Sequence, residues 1–178
     1  MDIFEQKQVL DSFQILVDTR EQDTERARDR YNRMNVPVLR AKLNYGDYTY
    51  NATLPSGETL FDINNSVNPV CAVERKMSLD ELAMCLGKDR KRFQREFERA
   101  KEAGARVILL CENASWENLI NGRYRSRLNP NAYLGSLVAW ETRYDFQLVF
   151  CKEETSGRLI KEYLYRDLKE RLERGEFG

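Results

Sequence analysis

Four charged residues near two predicted strand ends have the types and spacing of a site that cleaves phosphodiesters. Glu74, Arg75 and Lys76 directly follow the apolar residues 70–73, and Asp47 follows a glycine after another predicted strand. Carboxylates are hard oxygen ligands that suit Mg²⁺ or Mn²⁺. Such a cation would activate water and offset the negative charge that grows on a phosphate during hydrolysis. We therefore expect Asp47 and Glu74 to bind a divalent metal ion.

The strand period predicts how the neighbouring side chains are directed. Residues i and i+2 of a strand point to the same face, so Glu74 and Lys76 are expected side by side, with Lys76 near the attacking water. Arg75 could hold a phosphate in a bidentate fork if the backbone turns there. Asp18 also ends an apolar stretch, and catalytic groups of α/β folds gather at such strand ends.

The composition excludes several other chemistries. The 178 residues include no histidine, which rules out Ser-His-Asp hydrolases, Cys-His proteases and nucleases with a histidine base. No GxxxxGK stretch is present, so a P-loop ATPase is excluded and no nucleotide cofactor is expected. The four cysteines form no CxxC pair, which argues against zinc and favours free thiols. The 29 basic and 29 acidic residues cancel, so net charge says nothing about nucleic acid.

The chain length suits one domain, which we place at residues 1–178 with 1–13 as a loose N-terminal lead. Residues 1–13 lack the apolar core of a signal peptide. The longest apolar run, residues 107–111, is too short to cross a bilayer. We expect a cytoplasmic protein that has no membrane partner.

Strands alternate with helices along the chain, which predicts an α/β layered fold. A hairpin around residues 55–58 implies that the sheet is mixed rather than purely parallel. Ser78 is predicted to cap a helix, with Glu81 completing a capping box. Strands are predicted at residues 14–18, 38–43, 48–54, 59–63, 69–74, 105–111 and 146–150. Helices are predicted at residues 21–34, 78–87, 89–103, 130–143 and 155–174.

Three ordered motifs over roughly residues 14–80 resemble the XPF nuclease family. That family carries a GD pair followed at a distance by ERKxxxD. Here Gly46 and Asp47 are followed by 26 residues and then by residues 74–80, which read ERKMSLD. The family's first strand commonly ends in VDxRE, and residues 17–21 read VDTRE.

The resemblance implies a restriction-endonuclease-like fold, with a central mixed sheet, a hairpin and flanking helices. It implies a metal-dependent DNA endonuclease that cuts one strand near a flap, a junction or a single-strand/duplex boundary, in repair, recombination or phage DNA metabolism. It assigns Mg²⁺ or Mn²⁺ to Asp47 and Glu74, with Asp18 close by. It makes Lys76 and Arg75 catalytic, and it places Asp18, Glu21 and Asp80 as supporting members of the site.

The resemblance leaves several points open. Family members usually add a pair of helix-hairpin-helix motifs, and some add a helicase, but neither is found in residues 1–178. The preference for branched DNA and a homodimer formed through the nuclease domains therefore stay open. A non-catalytic DNA-binding subunit and a metal-dependent nuclease acting on RNA are the alternative functions.

Two groups of arginines are candidate DNA contacts. Lys88, Arg92, Arg95 and Arg99 form one stripe of a predicted helix, and the alternative is an exposed face balanced by nearby glutamates. The predicted loop 121–127 interleaves arginines with a tyrosine that could stack on a base, and the alternative is that the tyrosine packs inward. The expected DNA contacts are Arg20, Arg92, Arg95, Arg99, Arg123, Tyr124, Arg125 and Arg127.

Overall fold

A computed structural model describes residues 1–177 and confirms the α/β class. These residues form six strands: β1 (Gln14–Asp18), β2 (Val38–Ala41), β3 (Tyr48–Asn51), β4 (Cys71–Lys76), β5 (Arg106–Glu112) and β6 (Gln147–Cys151). They also form seven helices: α1 (Ile3–Asp11), α2 (Glu25–Met34), α3 (Leu79–Leu86), α4 (Arg90–Glu102), α5 (Trp116–Ile120), α6 (Pro130–Tyr144) and α7 (Glu153–Glu173).

The strands form one mixed sheet in the order β2-β1-β3-β4-β5-β6. β1 pairs with β2 in parallel, and β4, β5 and β6 are parallel to one another. β3 is antiparallel to both of its neighbours, β1 and β4. The start of β3 therefore lies at the same edge of the sheet as the carboxyl ends of β1 and β4.

Helices cover both faces of the sheet. Successive side chains of a strand point to opposite faces, and each face is an apolar layer covered by helices. Cys71 and Val73 of β4 pack into a layer with the apolar side of α7, whereas Ala72 packs against α3, α4 and α6. Helices α1 and α2 pack beside α7 on the first face. As predicted, α7 buries residues that recur every fourth position: Ile160, Leu164, Leu168 and Leu172.

The predicted hairpin is present only as a short antiparallel contact. Thr53 and Thr59 form an isolated bridge, and residues 59–63 form no regular strand. The side chain of Asn51 replaces the missing ladder, since its amide donates to the Phe61 carbonyl at 3.0 Å and its oxygen accepts from the Phe61 amide at 3.0 Å. A side-chain substitute of this kind leaves no trace in strand periodicity.

The N-terminal residues are ordered, contrary to the expected loose lead. Asp2 caps α1, and a reciprocal bond from the Asp2 amide to Glu5 completes a capping box. Val9 and Phe13 are buried in the α7 layer. At the predicted cap of α3, Ser78 accepts from the Glu81 amide as expected, but the Glu81 carboxylate bonds the Met77 amide instead.

All four cysteines, which lie within the described residues, are free thiols. No helix within residues 1–177 has the length and apolarity needed to cross a membrane.

Gly157 sets the distance between α2 and α7. A Cβ atom at this position would lie 2.4 Å from the carbonyl oxygen of Arg30 and 3.2 Å from the Cβ of Arg33. The first contact is with backbone, which cannot rotate away as a side chain can. The helix pair therefore requires glycine here.

Gly157→Ala should destabilise the protein by about 1–3 kcal/mol, because the added methyl group forces α7 away from α2. Gly135→Ala is the matched control, since Gly135 is an exposed residue of α6 and its added methyl group would meet no other atom within 4 Å. That substitution should be neutral or stabilising by up to about 1 kcal/mol. Urea unfolding of both variants measures the difference, and equal stabilities would contradict the packing constraint.

Candidate active site

A polar cleft lies at the sheet edge where β1 and β4 end and β3 begins. The cleft has a volume of about 220 Å³. Backbone bonds join the three strands there: the Asp18 amide donates to the Asp47 carbonyl at 2.9 Å, and the Asp47 amide donates to the Val73 carbonyl at 2.8 Å. The residues that line the cleft are Arg20, Glu21, Asp47, Glu74, Arg75, Lys76, Glu81, Cys85, Arg92, Phe93 and Glu96.

Gly46 allows Asp47 to approach β4 closely. Its φ of +74° lies in the left-handed region, and a Cβ atom there would come within 2.7 Å of the Ala72 Cβ. The carboxylate of Asp47 then accepts a hydrogen bond from the Arg75 amide at 2.7 Å. The side chain of Asp47 is thus fixed beside the end of β4.

Glu74 and Lys76 lie side by side on one face of β4, as the strand period predicts. The Lys76 ammonium donates to Glu74 Oε1, and both side chains are buried. The Lys76 Nζ atom also lies 5.2 Å from the ring centre of Phe93 on α4. Burial alone would lower the pKa of Lys76, but the negative charges of Glu74 and Asp47 outweigh it and raise that pKa. Lys76 is therefore a cation and does not accept a proton in this arrangement.

The carboxylates of the cleft repel one another. Burial raises the pKa of Asp47 well above its ordinary value, and the charge of Glu74 raises it further. Burial and Glu74 also raise the pKa of Glu96, which α4 brings into the cleft. In the sequence, Glu96 is one of the glutamates of the alternative, exposed helix face. Its nearness to Glu74 could not be predicted, because it depends on how α4 packs.

Asp47 and Glu74 fit a divalent cation by their chemistry. They offer hard oxygen donors in a polar cleft, and a cation would relieve the repulsion that raises the pKa of Asp47. Within residues 1–177, no three His, Cys, Asp or Glu side chains are grouped closely enough to hold a metal by themselves. Water and substrate oxygens would complete the coordination, because Mg²⁺ usually keeps several water ligands in protein sites.

Arg75 projects to the opposite face of the sheet from Glu74, because successive strand residues alternate. The backbone does not turn at Arg75, and its guanidinium contacts Glu112 at 3.2 Å and Glu21 at 3.5 Å. Both Arg75 and Glu21 still border the cleft, because they lie at the sheet edge. No short sequence pattern identifies Glu112, because its partners come from distant parts of the chain.

Asp18 lies beneath the cleft and does not line it. Its carboxylate is 1% exposed and is occupied by Arg20, which donates to it from the backbone amide at 2.7 Å and from Nη2 at 2.6 Å. Arg20 in turn lines the cleft and reaches Glu96 at 3.4 Å. The structure therefore shows Asp18 orienting Arg20, whereas the metal-ligand role expected of Asp18 has no free oxygen in this arrangement.

Asp80 holds the arginine-rich loop, defined here as residues 121–127. Its Oδ1 accepts hydrogen bonds from the Arg125 and Ser126 amides, each at 2.7 Å. Asp80 does not line the cleft. The contacts of Asp80 are therefore with this loop and not with the cleft.

The predicted DNA contacts divide into exposed and enclosed groups. Tyr124 packs inward: its ring meets Tyr133 edge-on and its hydroxyl donates to the Leu128 carbonyl, which favours the packing alternative over base stacking. Arg123, Arg125 and Arg127 are exposed. On α4, Arg92 borders the cleft, Arg95 is exposed, and Arg99 donates to the Asn44 carbonyl at 3.1 Å. Lys88 is exposed but lies in the turn before α4, so it is not part of the predicted helical stripe.

The sequence matches the profile described as the ERCC4 domain over residues 17–163. A search of curated protein sequences gives no significant match. The fold is similar to that of XPF from Aeropyrum pernix, with a TM-score of 0.61 and 19% identity over 92% of this chain and 69% of that chain. A second similar structure is XPF from Aeropyrum pernix in complex with DNA, with a TM-score of 0.58 and 22% identity over 86% of this chain and 63% of that chain.

Asp47→Asn should make the metal-free protein more stable at neutral pH. A carboxyl group whose pKa is raised on folding favours the folded state when protonated and loses that contribution as pH rises through the folded pKa. The neutral amide removes this cost and can still accept from the Arg75 amide. We expect a Tm several degrees higher than that of the native protein at pH 7 in EDTA, with the two values converging in acid. An unchanged Tm at pH 7 would show that the carboxylate is not destabilised.

Proposed function

This chain belongs to the ERCC4 domain family, and from that membership we propose that it is a divalent-metal-dependent DNA endonuclease. The observation that carries the proposal is the placement of Asp47 and Glu74 in one polar cleft, with Lys76 bonded to Glu74. Two mutually repelling carboxylates and an adjacent buried cation are what metal-assisted phosphodiester hydrolysis needs. The proposed setting is DNA repair, recombination or phage DNA metabolism.

Each cleft residue has a distinct part in this proposal. Asp47 and Glu74 hold Mg²⁺ or Mn²⁺, which when bound supplies positive charge against the reacting phosphate. Lys76, bonded to Glu74, orients the attacking water and stabilises negative charge. Arg75 is the second catalytic cation, directed at a phosphate oxygen from the opposite sheet face.

Cations around the cleft mouth are proposed to hold the DNA backbone. Arg20 and Arg92 border the cleft, and Arg92 is 71% exposed. The arginine-rich loop adds three exposed guanidinium groups, which Asp80 keeps in position. The similar Aeropyrum pernix structure determined with DNA supports DNA as the substrate class. Selectivity for flaps or junctions and a homodimer, both typical of the family, are parts of this proposal.

The second candidate, a DNA-binding subunit without activity, conflicts with the site. Such a subunit has no need for Asp47, Glu74 and Lys76 together in one cleft, since their repulsion and burial cost stability. Whether the substrate is RNA or DNA is decided by comparing cleavage of the two nucleic acids under the same conditions.

Glu74→Gln should abolish cleavage while the protein stays folded, because a neutral amide of the same shape binds a divalent cation poorly. Plasmid, flap and single-stranded DNA, and RNA, are incubated with Mg²⁺ or Mn²⁺ and with EDTA as the metal-free control. We expect a rate loss of at least about 10²-fold, given how much of the catalysis the cation supplies. Glu117→Gln, at an exposed acid of α5, is the matched control and should cleave normally. A folded Glu74→Gln variant with native activity would refute the metal-ligand assignment.

Changing Arg123, Arg125 and Arg127 together to alanine should weaken DNA binding more than chemistry. Each neutralised phosphate contributes about 0.9 to the salt dependence of duplex binding, so the slope should flatten by roughly two to three units. Binding is measured with Glu74→Gln protein, and single-turnover cleavage at saturating DNA should stay near the native rate.

The control replaces three cations at the opposite edge of the sheet, of which Arg166 and Arg174 are exposed and Lys169 is half-buried. Arg166 and Lys169 lie in the last part of α7 and Arg174 is its C-cap. In this part of the helix, Arg171 reaches the Val70 carbonyl before the start of β4. Their joint change to alanine should leave the salt slope unaltered. If both triple variants gave the native slope, the arginine-rich loop would face away from DNA.

A further inference from the structure

A closed ring of ion pairs and tyrosine hydrogen bonds lies behind the cleft on the α2 side of the sheet. Glu112, at the end of β5, contacts Arg30 of α2 at 3.1 Å through Oε1 and Arg75 at 3.2 Å through Oε2. The Tyr48 hydroxyl accepts from Arg30 at 3.2 Å and donates to Glu21 at 3.2 Å. Glu21 closes the ring on Arg75 at 3.5 Å.

The ring has no net charge, and its members differ in solvent exposure. Two arginines face two glutamates, so none of the buried charges is left without a partner. The side chains of Glu112 and Arg30 are 0% and 4% exposed, whereas those of Arg75 and Glu21 are 14% and 18% exposed. The ring therefore extends from the core to the wall of the cleft, and its two outer members are cleft residues.

The two carboxylates that hold Arg75 differ in how far they are enclosed. Glu112 belongs to strand β5 and is fully buried, and both of its oxygen atoms contact arginines. Glu21 lies outside any helix or strand, in the segment between β1 and α2, and is partly exposed. An incoming phosphate can replace Glu21 on the outer edge of Arg75, while Glu112 keeps the inner edge in place.

We propose that Glu112, itself held by Arg30, is a positioning residue that directs Arg75 toward the scissile phosphate. The inference rests on the proposed function, because it assigns Arg75 to the phosphate of that reaction. A donor held in place before the reaction stabilises developing charge without reorganisation. Without Glu112, the charged fork of Arg75 would be free to turn fully onto Glu21 or Asp47, and its alignment with the phosphate would be lost.

The protein contains a matched network that has no contact with the cleft. Asp167 of α7 is 4% exposed, pairs with Arg106 at 3.3 Å and Arg171 at 2.7 Å, and accepts from the Tyr50 hydroxyl at 3.1 Å. It thus has two arginines and a tyrosine about a buried acid, as Glu112 has. Arg106 begins β5 and Glu112 ends it, so the two networks lie at opposite edges of the sheet.

The test compares Glu112→Gln with Asp167→Asn in the full chain, using single-turnover cleavage of DNA in excess metal. Glutamine keeps the shape of Glu112, but its amide nitrogen cannot accept from an arginine, so one of the two arginine contacts is lost. We expect Glu112→Gln to slow cleavage by about tenfold to a hundredfold, as a small misplacement of a catalytic group does, with DNA affinity nearly unchanged. Asp167→Asn should lower Tm at least as much as Glu112→Gln does, while its cleavage rate stays near the native value.

A double-mutant cycle with Arg75 shows whether Glu112 acts through that residue. If it does, Arg75→Ala combined with Glu112→Gln cleaves no more slowly than Arg75→Ala alone. The proposal would be overturned if the two substitutions slowed cleavage by independent factors that multiply in the double variant. It would also be overturned if Glu112→Gln cleaved at the native rate. Should Glu112→Gln fail to fold, Arg30→Lys decides by the same two measurements, since it keeps the charge but cannot contact Glu112 and Tyr48 together.

Failure of this inference is distinguishable from failure of the proposed function. A native chain that cleaves none of the DNA substrates with Mg²⁺ or Mn²⁺ removes the proposed function and the inference with it. An active native chain whose Glu112→Gln and Asp167→Asn variants share one native rate removes only the role of Glu112.

Discussion

The close contact of Gly46 with Ala72 allows the start of β3 to lie against β4, and the geometry of the site depends on it. β3 is antiparallel to its two neighbours, so a residue that precedes it joins residues that end β1 and β4. Without a glycine at this crossing, Asp47 would be displaced from the Arg75 amide and from Glu74. A single steric condition therefore brings together two motifs separated by 26 residues.

The cleft carries charges that a stable fold would otherwise avoid. Asp47 and Glu96 both have raised pKa values because they are buried near Glu74, and the buried Lys76 offsets only part of that repulsion. Helix α4 borders these groups and brings the ring of Phe93 within 5.2 Å of the Lys76 ammonium. The apolar cores on both faces of the sheet stabilise the fold and offset the unfavourable free energy of these buried charges.

Local sequence patterns correctly predicted those features of the structure that depend on residues close together in the chain. The apolar runs located β1, β4 and β5, and the two-residue period of a strand placed Glu74 beside Lys76. The roles of Asp18 and Asp80 in the structure were not predicted, because a motif identifies an acid without its partner. Glu112 was missed because Arg30 is 82 residues away in sequence, and no short window contains both.

The tie between Asp80 and the arginine-rich loop has a geometric consequence for the substrate. Asp80 lies in the first turn of α3, only four residues after Lys76, so the loop is attached to the same rigid strand–helix junction as the cleft. The distance between them cannot vary freely. Under the proposed function, in which the loop binds a phosphate and Glu74 holds the metal, this separation would set how many nucleotides lie between the bound phosphate and the cleaved bond.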